Sequence, residues 1–377
     1  MKILFLCTYY HRAMIFRDSM DMLEQYGHKV EAFNAVVKGA KIDPKYSDIM
    51  DELVVHRECF NKFDRFFYHH KQTKFYKKLI EEIDVTKYDI IHSHTLFNGG
   101  YVAYNINKKF GIPYIVSIRN TDMNIFLKIP LFKRIANKII KEASGIQFLS
   151  VPYKDKFINK YLEDEYREDF IKKSVVIGNG LEKFWLDNKF NKNRTIDKSN
   201  IRVICVGKID KNKNIVTTIK ALESLILLGV NVSFTIVGQV IDKDVLNYLK
   251  QFNFIRIVEY LSKEKLIEEY RKSDIYIMPS IHETFGRVYA EAMTQGLPII
   301  YSKGQGFDGI FEDGCVGYSV PSKDAEYIKS CIIKIIDDYS NISLRCLQYC
   351  NIFDWEKVSY KLEEFYKDSL KRGKGDN

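Results

Sequence analysis

The chain has 377 residues, 46% of them hydrophobic, and a formal net charge of +9. Its length exceeds what one core usually serves, so two domains are expected, and its apolar content excludes a disordered protein. Seven scattered cysteines argue against disulfides and a zinc site, and no run approaches the ~18 apolar residues of a membrane span.

The first segment, "KILFLC" (2–7), reads as a buried strand rather than a leader, and a cytoplasmic location is the expectation. Tyr9, Tyr10 and His11 follow its end and are assigned to a ligand cleft by position. "KVEAFNA", "YDIIHSH" (88–94), "PYIVSIRN" (113–120) and "GIQFLS" (145–150) are further short apolar runs, each trailed by a helical pattern. His92 and His94 alternate at the end of one of these strands and are read as facing opposite sides of the sheet. His92 is expected to pack behind the sheet; two histidines without a third ligand make no metal site.

After "VVIGNG" (175–180) and the polar stretch 187–200, the expected linker, the alternation restarts. "IRVICVG" (201–207), "VSFTIVG" (232–238), "FIRIVEY" (254–260), "DIYIMPS" (274–280) and "LPIIYSK" (297–303) are its strands. Alternating strands and helices imply parallel sheets covered on both faces. Two doubly wound domains are predicted, 1–185 and 198–353, with a last helix at 354–370 returning to the first. Their ligand belongs at the carboxyl ends of the strands, in a cleft that both domains line.

Charge is uneven along the chain. Residues 1–180 hold 29 Lys+Arg against 22 Asp+Glu, and the excess gathers in 62–80 and 126–141 among Phe, Tyr, Leu and Ile. Such stretches suit an anionic membrane surface, or are ordinary surface helices with one core face. Nothing accompanies the charge that reads as a nucleic-acid motif.

The segment "HETFGRVYAEAMTQG" (282–296) carries Glu283 and Glu291 eight positions apart. Along a helix that spacing is ~12 Å and ~80° of net rotation, so the acids cannot serve one atom. They suit the two ends of an elongated ligand, with a helix N-terminus offering amides to phosphate between them. A nucleoside-diphosphate sugar has that form.

"PSIHETFGRVYAEAMTQGLPII" resembles the signature of the retaining GT-B glycosyltransferases of family 4 (glycosyl transferases group 1), and "VGKIDKNKN" (206–214) resembles their diphosphate-binding loop. "VVIGNGLEKF", "TIVGQV", "GQGFDGIFEDGCVGYSV" and the final "FDWEKVSYKLEEFYKDSL" match further segments in the same order. The resemblance implies two Rossmann-like domains facing a cleft. It places Glu283 at the sugar hydroxyls, Glu291 at the ribose, Lys208 and Lys213 at the diphosphate, and His94, at the position of the family's strand-end histidine, at the acceptor site. Gly207, Thr284, Phe285, Gly286 and Arg287 complete the donor set, the last three through backbone amides.

The implied activity is metal-independent, retaining transfer from a nucleoside-diphosphate sugar, UDP- favoured over GDP-, with no cofactor. The acceptor is a saccharide or lipid-linked saccharide of surface polysaccharide or glycolipid assembly. A non-catalytic sugar-nucleotide-binding partner and a sugar-nucleotide epimerase stay open as alternatives.

The departures are specific. "CTYYHRAMIF" stands where a Gly-Gly pair is usual, Asn214 where a glycine is common, and Glu259 where a glycine usually precedes the base-facing strand end. Arg119, in "IRNTD" with Asn120 and Asp122, occupies the place of a histidine that faces the transferred sugar. An arginine there either binds a carboxylate or phosphate on the substrate, or pairs internally with Asp122 or a carbonyl.

Overall fold

The computed structural model describes residues 1–12, 14–42 and 50–374, with Arg12 described in its backbone alone. Two compact units divide the chain. The first comprises Met1–Leu149, Lys154–Asn179 and the chain from Trp355 on; the second comprises Ser150–Tyr153 and Gly180–Asp354. The division therefore falls between Asn179 and Gly180, ahead of the polar stretch expected to be the linker.

The first unit is built on seven parallel strands: β1 (Lys2–Cys7), β2 (Lys29–Val37), β3 (Val54–Phe60), β4 (Ile90–Ser93), β5 (Tyr114–Ile118), β6 (Gly145–Phe148) and β7 (Ser174–Val176). Their order across the sheet is β3-β2-β1-β4-β5-β6-β7. β4, β5 and β6 are buried at every residue and β1 at all but its first, as strands covered by helices on both faces are. β3, at the edge, is only partly buried and carries His56, Arg57 and Glu58. Its weak alternation explains why it does not stand out in the sequence.

The terminal helix Trp355–Lys374 belongs to this unit. Trp355, Val358, Leu362, Phe365 and Tyr366 share a core with Ile3, Phe5, Ile90 and Ile115. Gly145 lets the helix come close: a Cβ there would stand 2.3 Å from the Ser369 hydroxyl and 2.8 Å from the Phe365 ring.

The second unit has six parallel strands: β8 (Asn200–Val206), β9 (Asn231–Val237), β10 (Ile255–Val258), β11 (Ile275–Met278), β12 (Ile299–Ser302) and β13 (Gly317–Val320). Their order is β10-β9-β8-β11-β12-β13. β13, four residues at the edge, also escapes a search for apolar runs. Both sheets reverse winding beside their first strand, between β1 and β4 and between β8 and β11. Ligands of doubly wound sheets bind outside the strand ends at such switch points. Among the described residues no helix is long and apolar enough to cross a membrane.

Candidate functional site

In the second unit the switch point is lined by two loops, 207–214 after β8 and 279–286 after β11. Asn212 joins them, its amide donating to the His282 carbonyl (3.0 Å) and accepting from the His282 N–H (3.1 Å), while the Ile281 N–H donates to the Asn212 carbonyl (2.8 Å). Asn214 follows in the left-handed region at φ 54°. There asparagine replaces the usual glycine at little cost, and its side chain donates to the carbonyls of Pro279 (3.0 Å) and Ser322.

These bonds bring Lys213 to Glu283, with Nζ 2.8 Å from Oε2 and both side chains largely buried. The other carboxylate oxygen accepts the Thr284 N–H (3.2 Å), and the Glu283 N–H donates to Gln305 Oε1 (3.0 Å). Gly207 runs against Lys213, where an added Cβ would stand 3.1 Å from Cε. Lys208 is exposed on the same loop.

Glu283 lies outside the helix, which spans Arg287–Thr294. The helical spacing expected for Glu283 and Glu291 therefore does not apply: a turn separates them, and only Glu291 is helical. Gly286 makes that turn at φ 82° and caps the helix without a side chain. A Cβ at Gly286 would stand 2.4 Å from the Tyr289 ring and 3.2 Å from Glu283 Cγ. The Phe285 side chain is buried against Phe307 and Phe353, so only its backbone is available to a ligand. A bare glycine cap beside an ammonium group is an arrangement suited to phosphate.

Glu291 accepts a hydrogen bond from the Tyr270 hydroxyl (3.4 Å). Burial, with the nearby Glu182 carboxylate, raises its pKa to about 7 against the pull of Arg287. Asn212, Gln305, Tyr270 and Glu182 went unnoticed in the sequence; only the Asn/Lys-rich run 211–214 hints at the first.

In the first unit, the ends of β4 and β5 hold His94 and Arg119. Asp122 stitches these strand ends together, accepting the N–H groups of Arg119 (2.9 Å), Leu96 (3.2 Å) and Phe97 (3.2 Å). The Arg119 guanidinium goes elsewhere. Nε donates to the His94 carbonyl (3.0 Å), and Nη2 lies 3.3 Å from His94 Nδ1. A guanidinium can only donate, so Nδ1 is the acceptor and the His94 proton sits on Nε2. That Nε2 is buried and has no partner among the described residues. Burial, then His92 and Arg119, hold the His94 pKa well below its ordinary value, so the ring is neutral.

The expectation that His92 and His94 face opposite sides is wrong. Residues two apart on a strand share a face, and the two rings lie 4.2 Å apart. His92 is used up internally, its Nδ1 paired with the Tyr366 hydroxyl (2.5 Å) and its Nε2 with Ser117 Oγ (2.8 Å). Burial pushes its pKa down to about 3. Tyr10 is also corrected from cleft to core: it is fully buried, with its hydroxyl on the Met20 sulfur. Tyr9 is exposed, and His11 is buried beside the Asn34 amide.

Residues 187–349 match the model of a family described as Glycosyl transferases group 1. Alpha-monoglucosyldiacylglycerol synthase of Acholeplasma laidlawii is 24% identical over 82% of this chain and 81% of its own. The capsular polysaccharide biosynthesis glycosyltransferase CapM of Staphylococcus aureus is 26% identical over 62% of this chain and 64% of its own. Among solved structures, HepE of Anabaena in complex with UDP superposes with a TM-score of 0.72 at 17% identity, covering 97% of this chain and all of that one. Sucrose-phosphate synthase of Thermosynechococcus elongatus gives 0.75 at 16% identity, covering 97% and 98%.

Proposed function

We propose that the chain, whose residues 187–349 match the group 1 glycosyltransferase model and whose fold is GT-B, is a retaining, metal-independent transferase that moves a sugar from a nucleoside-diphosphate donor to a saccharide or lipid-linked acceptor. The observation that carries the donor reading is the Lys213–Glu283 pair beside the Gly286 cap, at the β8/β11 switch point. The diphosphate lies against Lys213, Lys208 and the amides of the turn. The sugar hydroxyls meet Glu283, and the ribose hydroxyls meet Glu291.

Without donor, Lys213 is neutralised by Glu283. A bound diphosphate supplies the counter-charge instead and frees the carboxylate for the sugar. The acceptor hydroxyl oxygen then bonds to the anomeric carbon on the face from which the phosphate oxygen departs, and that leaving oxygen takes the hydroxyl proton. Cations and amides already in place at the leaving group lower the barrier without a metal ion.

In the first unit, the neutral His94 offers an Nε2–H to an acceptor oxygen. Arg119 acts through His94 as a positioning residue, because its guanidinium fixes the tautomer. UDP is favoured as the donor nucleotide by the HepE structures with UDP and UDP-glucose, and a glycolipid or capsular acceptor by the two named relatives. A thermal-shift panel of UDP-, GDP- and ADP-sugars tests the donor reading. One nucleotide class should raise the melting temperature, and Lys213→Ala should abolish the shift; no shift with any of them would overturn it.

A further inference from the structure

Exposed aromatic side chains are uncommon on a protein surface, yet the first unit gathers several. Phe63, Phe66 and Phe67 are 77%, 67% and 65% exposed, and Ile125, Ile129 and Leu131 are 61%, 49% and 59% exposed. The two segments are neighbours: the Tyr68 ring meets Phe132 edge-on at 4.9 Å and Phe126 at 6.4 Å, and Phe97 stacks on Phe126 at 4.9 Å. These anchors are buried or half-buried, so the residues flanking them are left facing outward.

The display is held in place. Asp64 is buried and accepts the Asn61 N–H (2.7 Å) and the Lys74 ammonium (2.9 Å). That fixes the turn Lys62–Phe66, with Phe63, Arg65 and Phe66 turned to solvent. On the second segment Pro130 opens the helix Pro130–Glu142 directly after Ile129.

Cations predominate around the patch, although Lys74 is paired with Asp64 and Lys78 with Glu81 and Glu82. Residues 65–80 carry Arg65, Lys71, Lys74, Lys77 and Lys78 and no Asp or Glu. Residues 123–141 carry five more cations, from Lys128 to Lys141, again with no acid. A solvated helix face normally mixes both signs. A predominantly cationic rim around outward Phe, Ile and Leu fits a surface that is apolar within and anionic at its edge.

We propose that this face docks the protein on an anionic lipid bilayer, with Phe63, Phe66, Phe67, Ile125, Ile129 and Leu131 entering the headgroup boundary and the surrounding lysines and arginines meeting lipid phosphates. The proposal is independent of the transfer chemistry and adds a place of action to it. A membrane-bound acceptor would then be met at the surface where it resides.

The test is co-sedimentation with vesicles of phosphatidylcholine alone and of equal parts phosphatidylcholine and phosphatidylglycerol. The wild type should pellet with the anionic vesicles only and be released by salt, since each cation near the surface contributes roughly fivefold in affinity. Phe66→Ser with Phe67→Ser should weaken pelleting by roughly tenfold or more, and so should Lys128→Glu with Arg134→Glu. The nucleotide-sugar thermal shift of both variants, measured in parallel, should match the wild type and so show that they are folded. Equal pelleting with both vesicles, pelleting that the substitutions leave unchanged, or a dimer in solution that the Phe substitutions dissociate would each overturn the proposal.

Discussion

Glu291 gives the most quantitative prediction, because burial lifts its pKa to about 7. Ribose hydroxyls donate to a carboxylate, so only ionised Glu291 binds them fully. At pH 8, one unit above that pKa, about nine-tenths of the protein is ready; at pH 6 about one-tenth is. Donor affinity should therefore weaken roughly tenfold between pH 8 and pH 6, or about 1.4 kcal/mol. Calorimetry with a nucleotide sugar is the assay, because each of its phosphates is closed by one ester and the shared anhydride, and neither titrates near neutrality. Glu291→Gln should abolish the slope. Glu291→Ala should cost roughly 1.5–3 kcal/mol of donor binding at pH 8, as expected for lost charge-assisted hydrogen bonds.

Stability carries the opposite sign. The folded pKa lies above the ordinary value of 4.5, so the benefit of the neutral form is complete below about 4.5 and is lost as pH rises through about 7. Relative to Glu291→Gln, the wild type should lose stability across that window. Parallel pH profiles for donor binding in the two proteins would refute the ribose assignment.

Glu283→Gln breaks the 2.8 Å ion pair with Lys213 and should leave UDP affinity equal or higher while transfer falls at least tenfold; weaker UDP binding with normal turnover would contradict its place at the sugar. Gly286→Ala forces a Cβ 2.4 Å from the Tyr289 ring at φ 82° and should cost roughly 1–3 kcal/mol in urea unfolding, with the donor thermal shift reduced. Arg119→Gln should slow transfer equally on neutral and anionic acceptors with donor affinity unchanged, since its guanidinium serves His94; slowing confined to anionic acceptors would instead mark Arg119 as an anion receptor. Activity should persist in excess EDTA, and loss on chelation that is restored by Mg²⁺ or Mn²⁺ would show that the lysines do not suffice.

The central strands were legible because a strand buried on both faces is mostly apolar, as the cores of "KILFLC" and "DIYIMPS" are. β3 and β13 were not, since an edge strand needs fewer apolar residues. The Glu283, Gly286 and Glu291 set could be read from its surroundings, but its geometry could not. Whether eight residues form helix or turn depends on the positive φ of Gly286 and on loop bonds made by Asn212 and Gln305, distant in sequence. Arg119 was recognisable as a departure, with internal pairing as one of two readings. Its partner was not, because the carbonyl and ring of His94 lie 25 residues away and meet it only when β4 and β5 pair. The two histidines were misread through a slip in strand periodicity, not through any missing information.

The most direct measurement is the release of nucleoside diphosphate from the stabilising nucleotide sugar, followed with and without a saccharide or lipid-linked acceptor and paired with the anomeric configuration of the product. The account predicts release that requires acceptor, a new glycosidic bond with the donor's own configuration, and loss of both in Lys213→Ala. Donor that binds without turnover in the presence of every acceptor class, is epimerised without acceptor, or yields an inverted linkage would contradict it.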